Sequence, residues 1–208
     1  MKTLLSGFRG SFAHGTNTKE SDYDTFDIVI MPKEYYIGLK SFESKHTSED
    51  HLIHDIKKFV KLLLKSNPSA LEILFTNFTY VDVFILPLIF EKEMFLSKKL
   101  VTPVLGHCEQ LAEETDGKSL SHLIRLLRMT EETLMLKGFN VFRKDAEYLK
   151  EIKAGKISKA EVLKEAEKLI NNIRILEKDS SLRLEPDRDK AESLLVNLLT
   201  ANIKDQLW

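Results

Sequence analysis

The feature that most constrains this fold is a short, largely apolar run at residues 26–31 (FDIVIM), which stops at Pro32. Its β-branched residues favour a strand, and Pro32 ends that strand because proline has no N–H to give to a sheet. Two further short runs, at residues 3–6 and 71–75 (LEILF), predict additional strands. The first part of the chain is therefore expected to contain a small sheet.

Helical patterns accompany these strands and then dominate the chain. Residues 56–65 carry apolar side chains at helical spacing, and Asn67-Pro68 breaks that helix. Residues 83–96 predict a mostly apolar helix with an interruption at Pro87. Further along, the Ser158-x-x-Glu161 pattern is typical of a capping box at the start of a helix.

Together these elements predict an α+β fold in two parts. A small mixed-sheet domain occupies residues 1–100, a helical C-terminal domain occupies residues 101–208, and the boundary lies near residues 98–118. A length of 208 residues is enough for one large domain or two small ones that share an interface. A hydrophobic fraction of 43% is ordinary for a globular protein and argues against disorder.

Charge, cysteine content and apolar runs limit the binding partners and the cellular compartment that we expect for the protein. The formal net charge of −1 does not by itself indicate a nucleic-acid-binding protein. The single cysteine excludes an intramolecular disulfide and fits a reducing compartment. The apolar run at residues 83–90 is too short to span a bilayer, and the N-terminal residues do not resemble a signal peptide. We expect a cytoplasmic protein.

The residues most suited to chemistry lie at positions 10–11 and 22–24, between the first two predicted strands. Gly10-Ser11 can present backbone N–H groups and a hydroxyl to a phosphate. Asp22 and Asp24 precede the strand at residues 26–31, and because residues two apart in a strand face the same side, we expect them to project together from the strand edge. Paired carboxylates are hard oxygen ligands that suit Mg²⁺. The pattern therefore predicts a metal and phosphate site.

A third carboxylate on a neighbouring strand would complete such a site, and two residues are candidates. Glu72 is the stronger one, since it stands alone between apolar residues of the run at 71–75, where a buried acid needs a partner or a metal. Asp50 is the alternative, because it precedes the apolar pair at residues 52–53. Asp27 lies on the opposite strand face from Asp24 and is left out.

The order Gly-Ser, spacer, Asp-x-Asp and apolar strand resembles the signature of the DNA polymerase β superfamily of nucleotidyltransferases. A longer ordered set is similar to the predicted nucleotidyltransferases found beside RNA-repair ligases, the RlaP-like family. The set comprises GSFAHGT, ESDYD, PKEYYIGL, DIKKFVKLLLKSNPSALEILF, LSHLIRLL and LEPDRDKAESLL. One departure is visible, because Phe26-Asp27 stands where the family tends to have an arginine-glycine pair.

The resemblance implies transfer of a nucleoside monophosphate from a nucleoside triphosphate to an RNA end, with Mg²⁺ or Mn²⁺ as cofactor. By position, Gly10 and Ser11 would contact the triphosphate, while Asp22, Asp24 and Glu72 would hold the metal. The family's basic pair before phenylalanine corresponds to Lys57-Lys58, of which Lys58 is taken as a nucleotide ligand. Its His-x-x-Arg helix corresponds to His122 and Arg125, which the resemblance assigns to the nucleotide.

Several of these residues also have purely structural interpretations. Lys57-Lys58 fits the solvated face of an amphipathic helix equally well, and Arg125 could serve a structural salt bridge. Tyr35-Tyr36, expected in a loop after the strand, fits either base stacking or packing. At the level of function, the alternatives are an antitoxin-like module that binds a partner protein, and nucleotidylation of a small molecule or protein.

Overall fold

The structure is a computed structural model that describes residues 1–48 and 50–205. Its N-terminal part contains a mixed sheet of five strands. They are β1 Lys2–Phe8, β2 Thr25–Ile30, β3 Ser44–Ser48, β4 His51–Asp55 and β5 Phe78–Val81.

Ten α-helices accompany the sheet within the described residues, and most of them follow it in the chain. They are α1 Gly10–His14, α2 Glu34–Ile37, α3 Ile56–Leu64, α4 Pro68–Phe75, α5 Leu86–Phe90, α6 Val101–Glu113, α7 Gly117–Leu134, α8 Ala146–Lys153, α9 Lys159–Asp179 and α10 Arg188–Asp205. The α+β class and the order of sheet first, helices second are therefore confirmed. No helix in the described ranges is both long and apolar enough to cross a membrane.

The sheet topology brings three chain segments together at one end. The strand order is β3-β4-β2-β1-β5, with β2 antiparallel to β1 and parallel to β4. In this register Phe8 lies opposite Thr25, and Thr25 lies opposite His51. The end of β1 and the starts of β2 and β4 therefore meet at what we call the Thr25 end of the sheet.

Two predicted elements of regular structure, the strand at residues 71–75 and the helix at residues 83–96, are wrong. Residues 71–75 form the second half of α4 and are not a strand. Asn67 caps this helix by accepting the backbone N–H of Ala70 at 3.0 Å, and Pro68 occupies its first turn, where proline is tolerated. The Asn67-Pro68 pair, predicted to break the preceding helix, thus starts α4, while α3 already ends at Leu64. A five-residue run with four apolar side chains has no periodicity that separates strand from helix.

The second error concerns residues 83–96, which do not form one helix. A 3₁₀ turn at Val83–Ile85 leads into α5, and another at Lys92–Phe95 follows it. Pro87 lies in the first turn of α5, so it starts a helix where the sequence predicted an interruption. By contrast, the helix at residues 56–65 is confirmed as α3, and the capping box of Ser158 and Glu161 is confirmed at the start of α9.

One apolar core joins the sheet to the helices. It includes Leu5 and Phe26 of the sheet, Phe59 of α3 and Leu123 of α7, all almost completely buried. Helix α7 is central to the later part of the fold, since it packs against α6, α8 and α9, while α10 returns to contact α3 and α5. The division into domains at residue 100 stays a prediction.

Candidate active site

A cleft of about 500 Å³ opens at the Thr25 end of the sheet. Its walls come from the turn between β1 and α1, the loop before β2, helix α4 and the start of α7. The residues that matter for chemistry are Arg9, Gly10, Ser11, His14, Asp24, Glu72, Lys118, His122, Arg125 and Lys153. A volume of this size suits a small organic ligand such as a nucleotide.

The turn after β1 depends on Gly10 for a steric reason. Gly10 has φ +61°, and a Cβ atom at this position would overlap the carboxylate of Asp24. The neighbouring backbone is fixed as well, since the Arg9 N–H donates to the Asp24 carbonyl at 2.9 Å. Glycine therefore allows the start of α1, with Ser11, to stand directly beside the carboxylate of Asp24.

The two aspartates predicted as metal ligands have different surroundings. Both lie in the loop before β2 and not in the strand, so the expected alternation along a strand does not apply to them. Asp24 is half-buried and lines the cleft, where Arg9 Nε lies 3.9 Å from its Oδ1. Asp22 is exposed, and Tyr23 stands between the two.

The floor of the cleft is a buried cluster of Glu72, Arg125 and His14. Arg125, only 7% exposed, donates from Nη1 to Glu72 Oε1. His14 Nε2 lies 3.6 Å from Glu72 Oε2, and its Nδ1 lies 3.4 Å from Arg125 Nη1. This cluster connects α4 to α7 and so connects the two parts of the fold.

The charge states of this floor follow from burial and from Arg125. Burial, followed by the neighbouring Arg125 charge, lowers the pKa of His14 to about 4. Burial alone would raise the pKa of Glu72, but the charge and the hydrogen bond of Arg125 outweigh it and hold that pKa below its usual value. At neutral pH the floor is therefore an ionised Glu72–Arg125 pair beside a neutral histidine.

The wall formed by α7 adds a second neutral histidine and an excess of positive charge. Burial, followed by the Arg125 charge, lowers the pKa of His122 to about 3, and its ring packs edge-on against His107 at 5.2 Å. Four cationic side chains line the cleft against two carboxylates, which gives a formal charge of +2 when histidines are counted as neutral. The cations are Arg9, Lys118, Arg125 and Lys153. Such a cleft favours an anionic ligand that carries several charges.

Comparison with known proteins identifies the family. A family model described as RlaP, an RNA repair pathway DNA polymerase beta family, matches residues 1–171.

The chain belongs to the RlaP family.

The matched region includes every residue of the cleft, and the resemblance predicted from the sequence is confirmed.

Two curated relatives share part of this RlaP chain. An "uncharacterized 38.9 kDa protein in nrdC-mobD intergenic region" of Enterobacteria phage T4 is 35% identical over 88 residues, which are 36% of this chain and 26% of the phage protein. The "uncharacterized protein YcgL" of Bacillus subtilis (strain 168) is 32% identical over 92 residues, which are 40% of this chain and 34% of that protein. The chain thus spans about a quarter to a third of these relatives. No solved structure is significantly similar to it.

The cleft of this RlaP protein brings together most of the site residues predicted from the sequence. Six of them line it: Gly10, Ser11, Asp24, Glu72, His122 and Arg125. Asp22 lies at the surface beside it, and Lys58 is paired with Glu43 at 2.8 Å, outside the lining of the cleft. Lys57 is exposed, and Tyr35-Tyr36 lies in α2 and not in a loop.

Four cleft residues were missed by sequence reasoning: Arg9, His14, Lys118 and Lys153. The sequence position of two of them could have identified them as cleft residues, because Arg9 adjoins Gly10 and Lys118 lies one helical turn before His122. Lys153 had none. It reaches the cleft only because the end of α8 packs so closely on Gly117 that a Cβ there would overlap the Lys153 carbonyl oxygen.

The two candidates for a third carboxylate also differ in position. Asp50 precedes β4, and its carbonyl accepts the Thr25 N–H at 2.7 Å, so its backbone adjoins that of Asp24. Glu72 lies on α4, and its charge is matched by Arg125. Asp27 is occupied elsewhere, since Ser6 Oγ donates to it at 2.5 Å.

The donor set of the RlaP cleft fits magnesium when the nucleotide supplies part of the shell. Among residues 1–48 and 50–205, no group of three or more His, Cys, Asp or Glu side chains is arranged to hold a metal. Mg²⁺ in nucleotide enzymes, however, is usually bound by one or two carboxylates together with substrate phosphates and water. Asp24, whose nearest cation is 3.9 Å away, has carboxylate oxygens suited to that role.

Proposed function

We propose that this protein transfers a nucleoside monophosphate from a nucleoside triphosphate to the terminal hydroxyl of an RNA, with Mg²⁺ or Mn²⁺. Membership of a DNA polymerase β family supports nucleotidyl transfer in general. The observation that carries the proposal is that the Asp24 carboxylate, the Gly10-Ser11 turn and a net positive lining share one cleft.

Each part of the cleft has a role in this proposal. The Gly10-Ser11 turn and the cations Arg9 and Lys118 hold the triphosphate by hydrogen bonds and charge. Asp24, with Asp22 beside it, holds the divalent cation, which when bound neutralises charge on the phosphates and activates the acceptor oxygen.

We assign the third carboxylate to Asp50 and give Glu72 the task of holding Arg125. The sheet pairing supports this choice, because it sets Asp50 next to the segment that carries Asp24. Glu72 instead belongs to the buried floor, where its loss would leave Arg125 without an anion among the described contacts.

The reaction is an in-line displacement. The acceptor oxygen forms a bond to the α-phosphorus while the bond from that phosphorus to the bridging oxygen breaks, and pyrophosphate leaves with the electron pair. The acceptor proton passes to water. Lys118 and Lys153 stabilise the charge of the departing pyrophosphate, and the buried floor keeps Arg125 directed into the cleft.

The test is transfer of label from each α-³²P nucleoside triphosphate to a mixed RNA pool in the presence of Mg²⁺. Asp24→Asn should lower transfer by more than about 100-fold, the scale of losing a major charge-stabilising group. Asp189→Asn, at an exposed acid on α10, is the matched control and should transfer label like the wild type. Equal labelling by Asp24→Asn and wild type would overturn the proposal.

The same experiment separates the alternative acceptors. Label on the protein, or on a small molecule, with none on RNA would replace the RNA acceptor while keeping nucleotidyl transfer. Nucleotide binding is followed independently by thermal unfolding, because a ligand at about 100 times its Kd stabilises by about 2.7 kcal/mol. This Mg²⁺-dependent stabilisation should vanish in Asp24→Asn.

A further inference from the structure

Three aromatic side chains form a cluster beside the cleft that the proposed chemistry does not use. The rings of Phe12 and Tyr23 stack at 4.4 Å with an angle of 22° between their planes. Phe8 completes the cluster, with its ring centroid 5.6 Å from Phe12 and 6.1 Å from Tyr23. We call these three residues the aromatic cluster.

The position of the aromatic cluster ties it to the candidate active site. Phe8 ends β1 and lines the cleft, Phe12 follows Ser11 on α1, and Tyr23 stands between the two aspartates. The aromatic surface therefore begins in the wall of the cleft and continues past the loop of Asp22 and Asp24. A group stacked on it would be held next to the predicted metal ligands.

Core packing does not account for the exposure of this cluster. Tyr23 is 65% exposed although one face of its ring is covered by Phe12, so the other face is open to solvent. Phe8 and Phe12 are also only partly buried, unlike the core phenylalanines Phe26 and Phe59. An open aromatic face beside a positively charged cleft is the combination that single-stranded nucleic acids use, with bases on rings and phosphates near cations.

We infer that the aromatic cluster is a stacking platform for a base of a single-stranded RNA acceptor, which rests on the proposed function. The cleft itself accommodates the triphosphate, and the platform lies at its edge, where the acceptor must approach. Stacking is tolerant of base identity because every base has a π face, so the platform gives preference for an unpaired strand and not for a sequence.

The test measures binding of a 5′-fluorescein-labelled decaadenylate RNA by fluorescence anisotropy, with Mg²⁺ present. Tyr23→Ala should weaken binding by about 5- to 150-fold, the range for loss of one stacked base. Tyr23→Phe keeps the ring and should bind within about twofold of the wild type, since the stacking is unchanged. Phe90→Ala, at an aromatic residue that is 78% exposed on α5, is the control for loss of any surface ring and should not change Kd.

Two results would overturn the platform: equal affinity of Tyr23→Ala and wild type, or no binding of the RNA by the wild type. The labelling experiment with Asp24→Asn tells this failure apart from failure of the proposed function. Label transfer to RNA that depends on Asp24, together with an unchanged Tyr23→Ala affinity, removes the platform alone. RNA binding that depends on the Tyr23 ring, without label transfer, removes the transferase proposal alone.

Discussion

Replacing Glu72 by glutamine tests whether this acid serves the fold or a metal. In Glu72→Gln an amide oxygen can still accept from Arg125, but the negative charge is lost. The other described side-chain contacts of the guanidinium, His14 Nδ1 at 3.4 Å and Met129 Sδ at 3.6 Å, are not anions either. Leaving one member of a buried ion pair uncompensated costs about 3–5 kcal/mol. For a protein of this size each kcal/mol lowers Tm by about 2–4 °C, so Tm should fall by roughly 6–20 °C.

The assay is urea unfolding followed by circular dichroism at 222 nm, at pH 7.5 with EDTA to remove divalent cations. The double variant Glu72→Gln/Arg125→Met removes both charges, so it should recover most of the loss in the free energy of unfolding. Glu167→Gln, at an exposed acid on α9, is the matched control and should stay within about 0.5 kcal/mol of the wild type.

A loss below about 1 kcal/mol for Glu72→Gln in EDTA would refute the structural role. If the same variant also lost Mn²⁺-dependent nucleotide binding, Glu72 would be the metal ligand that the sequence predicted. Asp50→Asn in that binding assay then tests the other candidate directly.

Two further predictions concern the turn and the buried histidines. Gly10→Ala should abolish Mg²⁺-dependent stabilisation by nucleoside triphosphate, because its Cβ displaces the Asp24 carboxylate. The control Gly138→Ala, with φ +81° and no neighbour within 4 Å, should cost about 1 kcal/mol of strain and keep that stabilisation. Equal binding by both variants would contradict the steric argument. His14 and His122 have pKa values of about 4 and about 3 in the folded protein, whereas histidines of the unfolded chain take up protons near pH 6.5. Their contribution to the free energy of unfolding is therefore fully present above pH 6.5. Between pH 6.5 and 4 that free energy falls by up to about 1.4 kcal/mol per pH unit for each histidine. Urea midpoints from pH 7.5 to 4.5 measure this slope, and a flat profile would show that neither ring is held neutral.

Apart from Glu72, the residues of the cleft that the sequence predicted are those whose role is local. Gly10-Ser11 and Asp24 lie on either side of one turn, and their spacing along the chain nearly determines their spacing in space. His122 and Arg125 are likewise related by a single helical turn.

What the sequence could not provide depends on packing between distant segments. The sequence predicts a strand for the short run around Glu72 because four apolar residues and one acid carry no decisive period, and only the cap formed by Asn67 reveals the helix. The pairing of Glu72 with Arg125 joins residues 53 positions apart, and no sequence pattern predicts it. Lys153 enters the cleft through the fit of α8 against Gly117, which is equally invisible in the sequence.

The ion pair beneath the cleft also limits how far the cleft can open and close. Glu72 lies on α4 and Arg125 on α7, so moving these two helices apart would separate buried charges at a cost of several kcal/mol. We therefore expect a pocket of nearly constant width, entered through its mouth and not by a hinge. Under the proposed function, selection among nucleotides would then depend on how well each one fits a pocket of fixed shape.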